Sequence, residues 1–292
     1  MNVYELITDK IIQQLESGVA PWRKPWRAEM PCNLASGKQY RGLNVFLLGS
    51  QGYGSRYWLT FTQANKLGGH VKKGEKSSTV IFWNVGQEKI IRNAAGVERK
   101  SKPILLRYYS VFNVEQTEGI ADKLGLGNAT PRFPSIEQCE AIVQAMPNAP
   151  RMEQSDRAWY RPSTDSVGMP SRSLFNSSEE FYSTLFHELT HSTGHPSRVG
   201  REGIEQLNTF GSESYSKEEL IAEMGAAMLC GVTGISPATI PNSAAYLKHW
   251  IERLRGDSKL LVSAASQAQK AADYIRNTSA KPEESQTESE AI

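Results

Sequence analysis

His187-Glu188-Leu189-Thr190-His191-Ser192-Thr193-Gly194-His195 holds three of the chain's five histidines within nine residues. On an α-helix, His187 and His191 stand four positions apart and project from one face, close enough to share one metal ion. Glu188 falls on the adjacent flank, where its carboxylate can take a proton from an attacking water. The polar turn before the motif supplies a helix start. Ser177 is placed as N-cap, and Glu180 three residues on completes a capping box.

This spacing is the HExxH arrangement of zinc peptidases. A catalytic zinc takes three protein ligands and leaves its fourth position to water. The layout HExxHxxGxxH is met as far as Gly194, but Ser197 occupies the place of its third ligand. The other layout draws a carboxylate from a second helix, expected to start near Ser216 and to end at Gly231. Glu219-Leu220-Ile221-Ala222-Glu223 begins 28 residues after His191. Glu219 is the expected ligand. Glu223, one turn on, is expected to hydrogen-bond the far nitrogen of a ligand histidine or to act as an alternative ligand. Glu218 reads as a solvated residue. Tyr215 or His195 could stabilise the oxyanion of a tetrahedral intermediate. Asp165-Ser166-Val167-Gly168-Met169-Pro170 reads as an edge strand that could hold an extended peptide over the metal.

Around this motif the 292 residues are those of a soluble globular chain, with 39% hydrophobic and 22% charged residues. Cys32, Cys139 and Cys230 form no CxxC pair, against both a disulfide framework and an all-cysteine zinc site. No stretch has the apolar length of a membrane span, and residues 1–25 lack a signal-peptide layout, so a cytoplasmic protein is expected. The net charge of +2 divides unevenly: residues 1–124 carry +8 and residues 125–292 carry −6. A basic front and an acidic back suggest two units with different partners.

In the front half, Tyr4, Ile7, Ile11 and Leu15 mark one face of a helix that Gly18 can stop. Tyr57–Phe61, Thr79–Trp83 and Ile104–Phe112 read as strands of a small sheet, with a hairpin or mobile loop over 85–103. Aromatic and basic residues interleave here: Trp22, Arg23, Lys24, Trp26 and Arg27, then Tyr40 with Arg41, Tyr53 with Arg56, and Lys72, Lys73 and Lys76. Bases stack on aromatic faces while cations follow the phosphates, so these residues point to single-stranded nucleic acid. No helix-turn-helix or zinc-finger pattern offers duplex recognition. The fold expected is α+β. A small α+β ssDNA-binding domain (1–125) leads through a proline-bearing linker (126–150) to a mainly helical zincin-like domain with a small sheet (151–276). A disordered tail (277–292) follows.

The chain resembles the ArdC-type antirestriction proteins of conjugative plasmids. The front half is similar to the ssDNA-binding region shared with TraC-type plasmid primases, through Pro21–Trp26, Asn33–Asn44, Trp58–Thr60, Gly68–Lys76 and Phe112–Thr117. The back half resembles the family's peptidase region through Asp165–Pro170, His187–His195 and Glu218–Glu223. The resemblance implies a zincin-type metallopeptidase domain with one divalent ion, expected to be Zn2+. It also implies protection of incoming plasmid DNA in the conjugation recipient. Partners would be ssDNA and, as targets, host restriction-modification proteins, with no membrane. Two functions follow from different classes. One is a working peptidase guided by DNA; the other is an ssDNA-binding shield with a structural or idle metal site.

Overall fold

Asn2 starts the first helix, α1 (Val3–Glu16): its side chain accepts from the Glu5 amide, and the Glu5 carboxylate accepts from the Asn2 amide. The computed structural model describes residues 2–23, 30–85, 89–92, 98–101, 104–121, 136–201, 204, 213–235 and 244–278. α1 buries Ile7, Ile11, Ile12 and Leu15, and Gly18 at φ 88° turns the chain away from the helix axis. There follow β1 (Cys32–Asn33), α2 (Leu43–Gly49), β2 (Tyr57–Leu59), α3 (Phe61–Lys66), β3 (His70–Val71) and β4 (Ser78–Val85). β5 (Lys89–Arg92) pairs antiparallel with β6 (Glu98–Ser101), and β7 (Ile104–Asn113) and β8 (Thr117–Glu118) complete the front half.

Four strands form the main sheet in the order β1-β2-β7-β4, with β4 and β7 antiparallel from Ser78↔Val111 to Val85↔Ile104. Cross-strand partners share a face. Ile81 therefore turns toward the main core, while Val80 and Val111 join a second cluster with Tyr40, Leu48 and Trp58. The strand expected over 57–61 ends at Leu59. Thr60 instead caps α3, with Thr60 Oγ1 accepting from Gln63 N at 3.2 Å and Gln63 Oε1 from Thr60 N at 2.8 Å.

The back half contains α4 (Ile136–Ala145), β9 (Arg151–Gln154), β10 (Trp159–Arg161), β11 (Ser166–Met169), α5 (Ser178–Ser192), α6 (Glu213–Thr233), α7 (Ala244–Gly256) and α8 (Leu260–Ile275). Leu220, Ile221, Ala222, Met224, Met228, Leu229 and Cys230 are buried on every side of α6, which marks it as the central helix. Burial pushes the Cys230 thiol up to about 12. α8 packs on α6 through Ala264, Ala265, Ala268 and Ala272, whose small side chains let the backbones approach. α6 reaches back beyond its expected start, so Ser216 is a buried residue within the helix and not its cap. β11 lies between β10 (antiparallel) and β9 (parallel), so the expected edge strand is an interior one with both sides paired. β10 and β11 are separated by a 3-10 turn over Pro162–Thr164 and by Asp165, which adopts φ 45°. Asp165 is held there by an ion pair with the buried Arg198 and by the Tyr160 hydroxyl, which donates at 3.1 Å.

The molecule is thus mixed, with a sheet-rich front and a helical back. One hydrophobic core joins the two, from Ile7 and Phe46 through Phe186 to Leu261. Polar contacts cross the same boundary: Thr8 Oγ1 donates to Ser258 O at 3.0 Å, Gly42 N to Gln269 Oε1 at 2.9 Å, and Arg41 pairs with Asp273. Among the described residues, no helix is long and apolar enough to cross a membrane.

Candidate metal centre

α5 begins as its sequence directs, with Ser177 Oγ accepting from Glu180 N at 3.2 Å. The expected reciprocal bond is replaced, because the Glu180 carboxylate accepts from both nitrogens of Asn176 at 2.9 Å. The helix then delivers His187, Glu188 and His191 toward α6. The two helices approach closely at Gly225: a Cβ there would lie 2.5 Å from Thr190 Cγ2. Thr190 is fully buried, and its hydroxyl donates to Phe186 O at 2.7 Å, so it cannot turn aside cheaply. Glycine at 225 brings the glutamates of α6 within reach of the histidines of α5.

Three side chains converge. His187 Nε2 and His191 Nε2 are 3.1 Å apart, with Glu219 Oε2 3.5 Å from the first and Glu219 Oε1 3.5 Å from the second. Tetrahedral ligands with bonds of about 2.1 Å stand about 3.4 Å from one another. The spacing therefore fits one ion bound by two imidazoles and one carboxylate. All three donor atoms lie within 4.8 Å of one another. Burial works against a charged His187, but the hydrogen bond to Glu219 and the charges of Glu188, Glu219 and Glu223 raise its pKa above the ordinary value. The pocket around that ring is negative enough to favour a cation. Glu188 is buried beside it and outside the convergent trio.

Behind His191 the sequence reading needs correction. Glu218, expected to be solvated, is buried, and its Oε1 lies 3.3 Å from His191 Nδ1. Arg201 clamps the same carboxylate, with Nε 2.9 Å from Oε2 and Nη2 2.5 Å from Oε1. The Arg201 guanidinium also donates to Thr193 Oγ1 at 2.6 Å and Thr190 O at 2.9 Å, tying it to the end of α5. Burial opposes the Glu218 charge, but His191 and Arg201 hold its pKa below the usual carboxylate value. Glu223 faces elsewhere. Its Oε1 accepts from Arg23 Nη2 at 2.8 Å and its Oε2 from the Tyr246 hydroxyl at 2.5 Å. The hydrogen bond expected from Glu223 to a histidine comes from Glu218, because rotation about the α6 axis puts residue 218 under His191. No sequence signal marks Arg201 or Tyr246.

His195 is half-buried and bonded to Ser197, with Nδ1 2.7 Å from Ser197 Oγ, and it is not among the convergent donors. The side chain of Tyr215 lies outside the described residues. In the front half, Trp22 and Tyr40 are only 1% and 3% exposed. Their rings are core packing and offer no face to a base. Burial also pushes the Tyr40 phenol up to about 12. Arg23 is engaged with Glu223, and Tyr53 lies edge-on to Trp58 at 5.4 Å. Arg56 stacks over Tyr57 at 5.4 Å. Lys72, Lys73 and Lys76 are exposed, Lys72 donating to Glu115 O at 2.9 Å. Lys24, Trp26 and Arg27 lie outside the described residues.

Comparison with known proteins follows this division of the chain. Residues 1–112 match the family model described as the N-terminal domain of anti-restriction factor ArdC, and residues 137–267 match that of a zincin-like metallopeptidase. The chain is 36% identical to the ArdC protein of plasmid R388 in its metal-free crystal structure. That match has a TM-score of 0.76 and covers 95% of this chain and 98% of that one. The Mn(II)-bound crystal structure of the same protein matches with a TM-score of 0.72, over 97% of this chain and 100% of that one. Protein y4eC of Sinorhizobium fredii is 32% identical over 94% of this chain and 91% of its own length. A DNA primase TraC of Escherichia coli is 34% identical over 99% of this chain, which spans only 28% of that protein's length. With both halves matched in order and a relative of the same length at this identity, the chain belongs to the ArdC family of antirestriction proteins.

Proposed function

We propose that this protein shields plasmid DNA entering a restricting host by combining sequence-independent ssDNA binding with metal-dependent peptide hydrolysis. Residues 1–125 would supply the first activity and residues 151–276 the second, joined through 126–150. The observation that carries the reading is the convergence of His187, His191 and Glu219 with Glu188 beside them and outside the trio. A purely structural site has no use for a general base at that position.

His187, His191 and Glu219 would hold one divalent ion, zinc by the donor set, and a relative with a Mn(II)-bound crystal structure supports a divalent ion in this family. Such an ion polarises a scissile carbonyl and acidifies a water. Glu188 then takes the proton of the attacking water and returns it to the leaving amine. Glu218 fixes the ring of His191, and Arg201 fixes Glu218. On the nucleic-acid side the reading rests on the basic front half and its exposed lysines, with Arg41, Arg56, Lys72, Lys73 and Lys76 as phosphate contacts and Tyr53 as a stacking face. Lys24, Trp26 and Arg27 complete the proposed set.

The test is plasmid transfer into a restricting host carrying wild type or Glu188→Gln. The substitution should leave metal content intact and abolish both peptide hydrolysis and protection. Full protection by Glu188→Gln would remove proteolysis from the mechanism and leave the ssDNA-binding shield.

A further inference from the structure

Glu219 and Glu223 stand one turn apart on α6. Side chains so spaced have Cβ atoms about 5–6 Å apart on one helix face. A flexible glutamate one turn from a metal ligand is a ready competitor for any open coordination position. Yet Glu223 is fully occupied: Arg23 Nη2 donates to one oxygen at 2.8 Å, and the Tyr246 hydroxyl donates to the other at 2.5 Å.

The clamp on Glu223 is itself held. The Arg23 guanidinium lies 3.7 Å over the Tyr246 ring, where a cation is attracted to the aromatic face. Trp22 Nε1 donates to the Tyr246 hydroxyl at 2.8 Å, and the buried Trp22 ring stands edge-on to Trp250 at 6.0 Å. With its acceptor side turned to Trp22, Tyr246 keeps its proton for Glu223. Burial and the Glu223 charge both raise the Tyr246 pKa, so the phenol remains a donor. Trp22 and Arg23 belong to the front half of the chain; Glu223 and Tyr246 belong to the back. This contact therefore ties the front half to the helix that bears Glu219.

We infer that Arg23 and Tyr246 are positioning residues that hold Glu223 off the metal, so that the ion keeps two imidazoles, one carboxylate and an open position. The inference rests on the metal-site reading above. With Glu223 restrained, a divalent ion retains a site charge of +1. With Glu223 bound as a second carboxylate, that charge falls to zero and the open position is filled. Loss of the clamp therefore tightens metal binding while it suppresses hydrolysis. Damage to the fold would weaken both. The front half is accordingly a component of the metal centre, whatever it also does with nucleic acid.

The experiment is calorimetric titration of the metal-free, full-length protein with Zn2+ and with Mn2+ for wild type, Arg23→Gln, Arg23→Gln/Glu223→Gln, Arg23→Lys and Tyr246→Phe. An added anionic ligand tightens binding, by about tenfold or more. Arg23→Gln should show that tightening, the double variant should return to the wild-type Kd, and Arg23→Lys should stay near wild type. Tyr246→Phe removes one hydroxyl only; it should shift the Kd in the same direction and serves if Arg23→Gln fails to fold. Unchanged or weakened affinity in Arg23→Gln and Tyr246→Phe, with wild type binding the ion, would overturn the inference and leave the metal-site reading standing. A wild type that binds neither ion at all would remove both.

Discussion

Glu218 Oε1 lies 3.3 Å from His191 Nδ1, on the side of the ring away from His187 and Glu219. A carboxylate there accepts a hydrogen bond from Nδ1–H and leaves the Nε2 lone pair facing the convergent donors. His191 is thus set in one tautomer and one orientation. The setting extends outward, since Arg201 joins both oxygens of Glu218 to the backbone at the end of α5.

Glu218→Gln should lower metal affinity about 10- to 100-fold without removing a ligand. Titration with a competing chelator measures it. Glu218→Ala should in addition destabilise the protein by about 3–5 kcal/mol, because it leaves Arg201 buried and unpaired. Metal affinity equal to wild type in Glu218→Gln would show that the His191 ring is oriented by packing alone.

Glu219→Ala should abolish stoichiometric metal binding, read as metal per protein after dialysis against a weak chelator. The same variant should lose the rise in melting temperature that the ion gives wild type, since a ligand stabilises only what it binds. Wild-type metal content in Glu219→Ala would move the third ligand elsewhere.

Asp165 carries the pH dependence away from the metal. Burial works against its charge, but hydrogen bonds and charge from Arg198, with a bond from Tyr160, hold its pKa below the usual carboxylate value. A depressed folded pKa gives stability that is present above the unfolded value of about 3.9 and is lost as pH falls through the folded one. Asp165→Asn keeps a side chain that tolerates φ 45° while removing the charge. It should cost about 1–2 kcal/mol near pH 7, with the difference in melting temperature closing below about pH 4. A constant difference across that range would exclude the ion pair as its source.

Binding to single strands should fall steeply with salt, by about 0.7 in log affinity per decade of salt for each phosphate contacted. Charge removal at Lys73 and Lys76 should reduce that slope, measured by fluorescence anisotropy on a homopolymer strand. Substitution of Trp22 or Tyr40 should act through stability, because both rings are buried. A steeper loss for Tyr40→Ala than for the double lysine variant, at equal melting temperature, would return Tyr40 to the interface.

The sequence makes the α5 half of the site legible because its parts lie within one helix turn, where spacing alone sets direction. Glu219 follows from the need for a third ligand. Glu218 takes the place expected of Glu223 for a physical reason: from Leu220 onward α6 buries residues on every side, so no polar stripe fixes its rotation. The strand expected over 57–61 stops at Leu59 because Thr60, a β-branched residue that suits a strand, serves as a helix cap. β11 reads as an edge because its segment does not reveal that β9 and β10 flank it, which depends on pairing across the chain. Trp22 and Tyr40 show the same limit in the front half, since an aromatic ring beside a basic residue suits a nucleic-acid surface and a core equally well.

The missing side chain at Gly225 bears on speed as well as on shape. Because α5 and α6 meet there without a Cβ between them, the two imidazoles stand 3.1 Å apart and each lies 3.5 Å from an oxygen of the Glu219 carboxylate. A divalent ion held by these three side chains would bridge two helices at their contact. Its capture would be timed by the shedding of its own water, and its escape by the breaking of bonds to both helices. A methyl group at 225 would spread the helices and hand that timing to the protein.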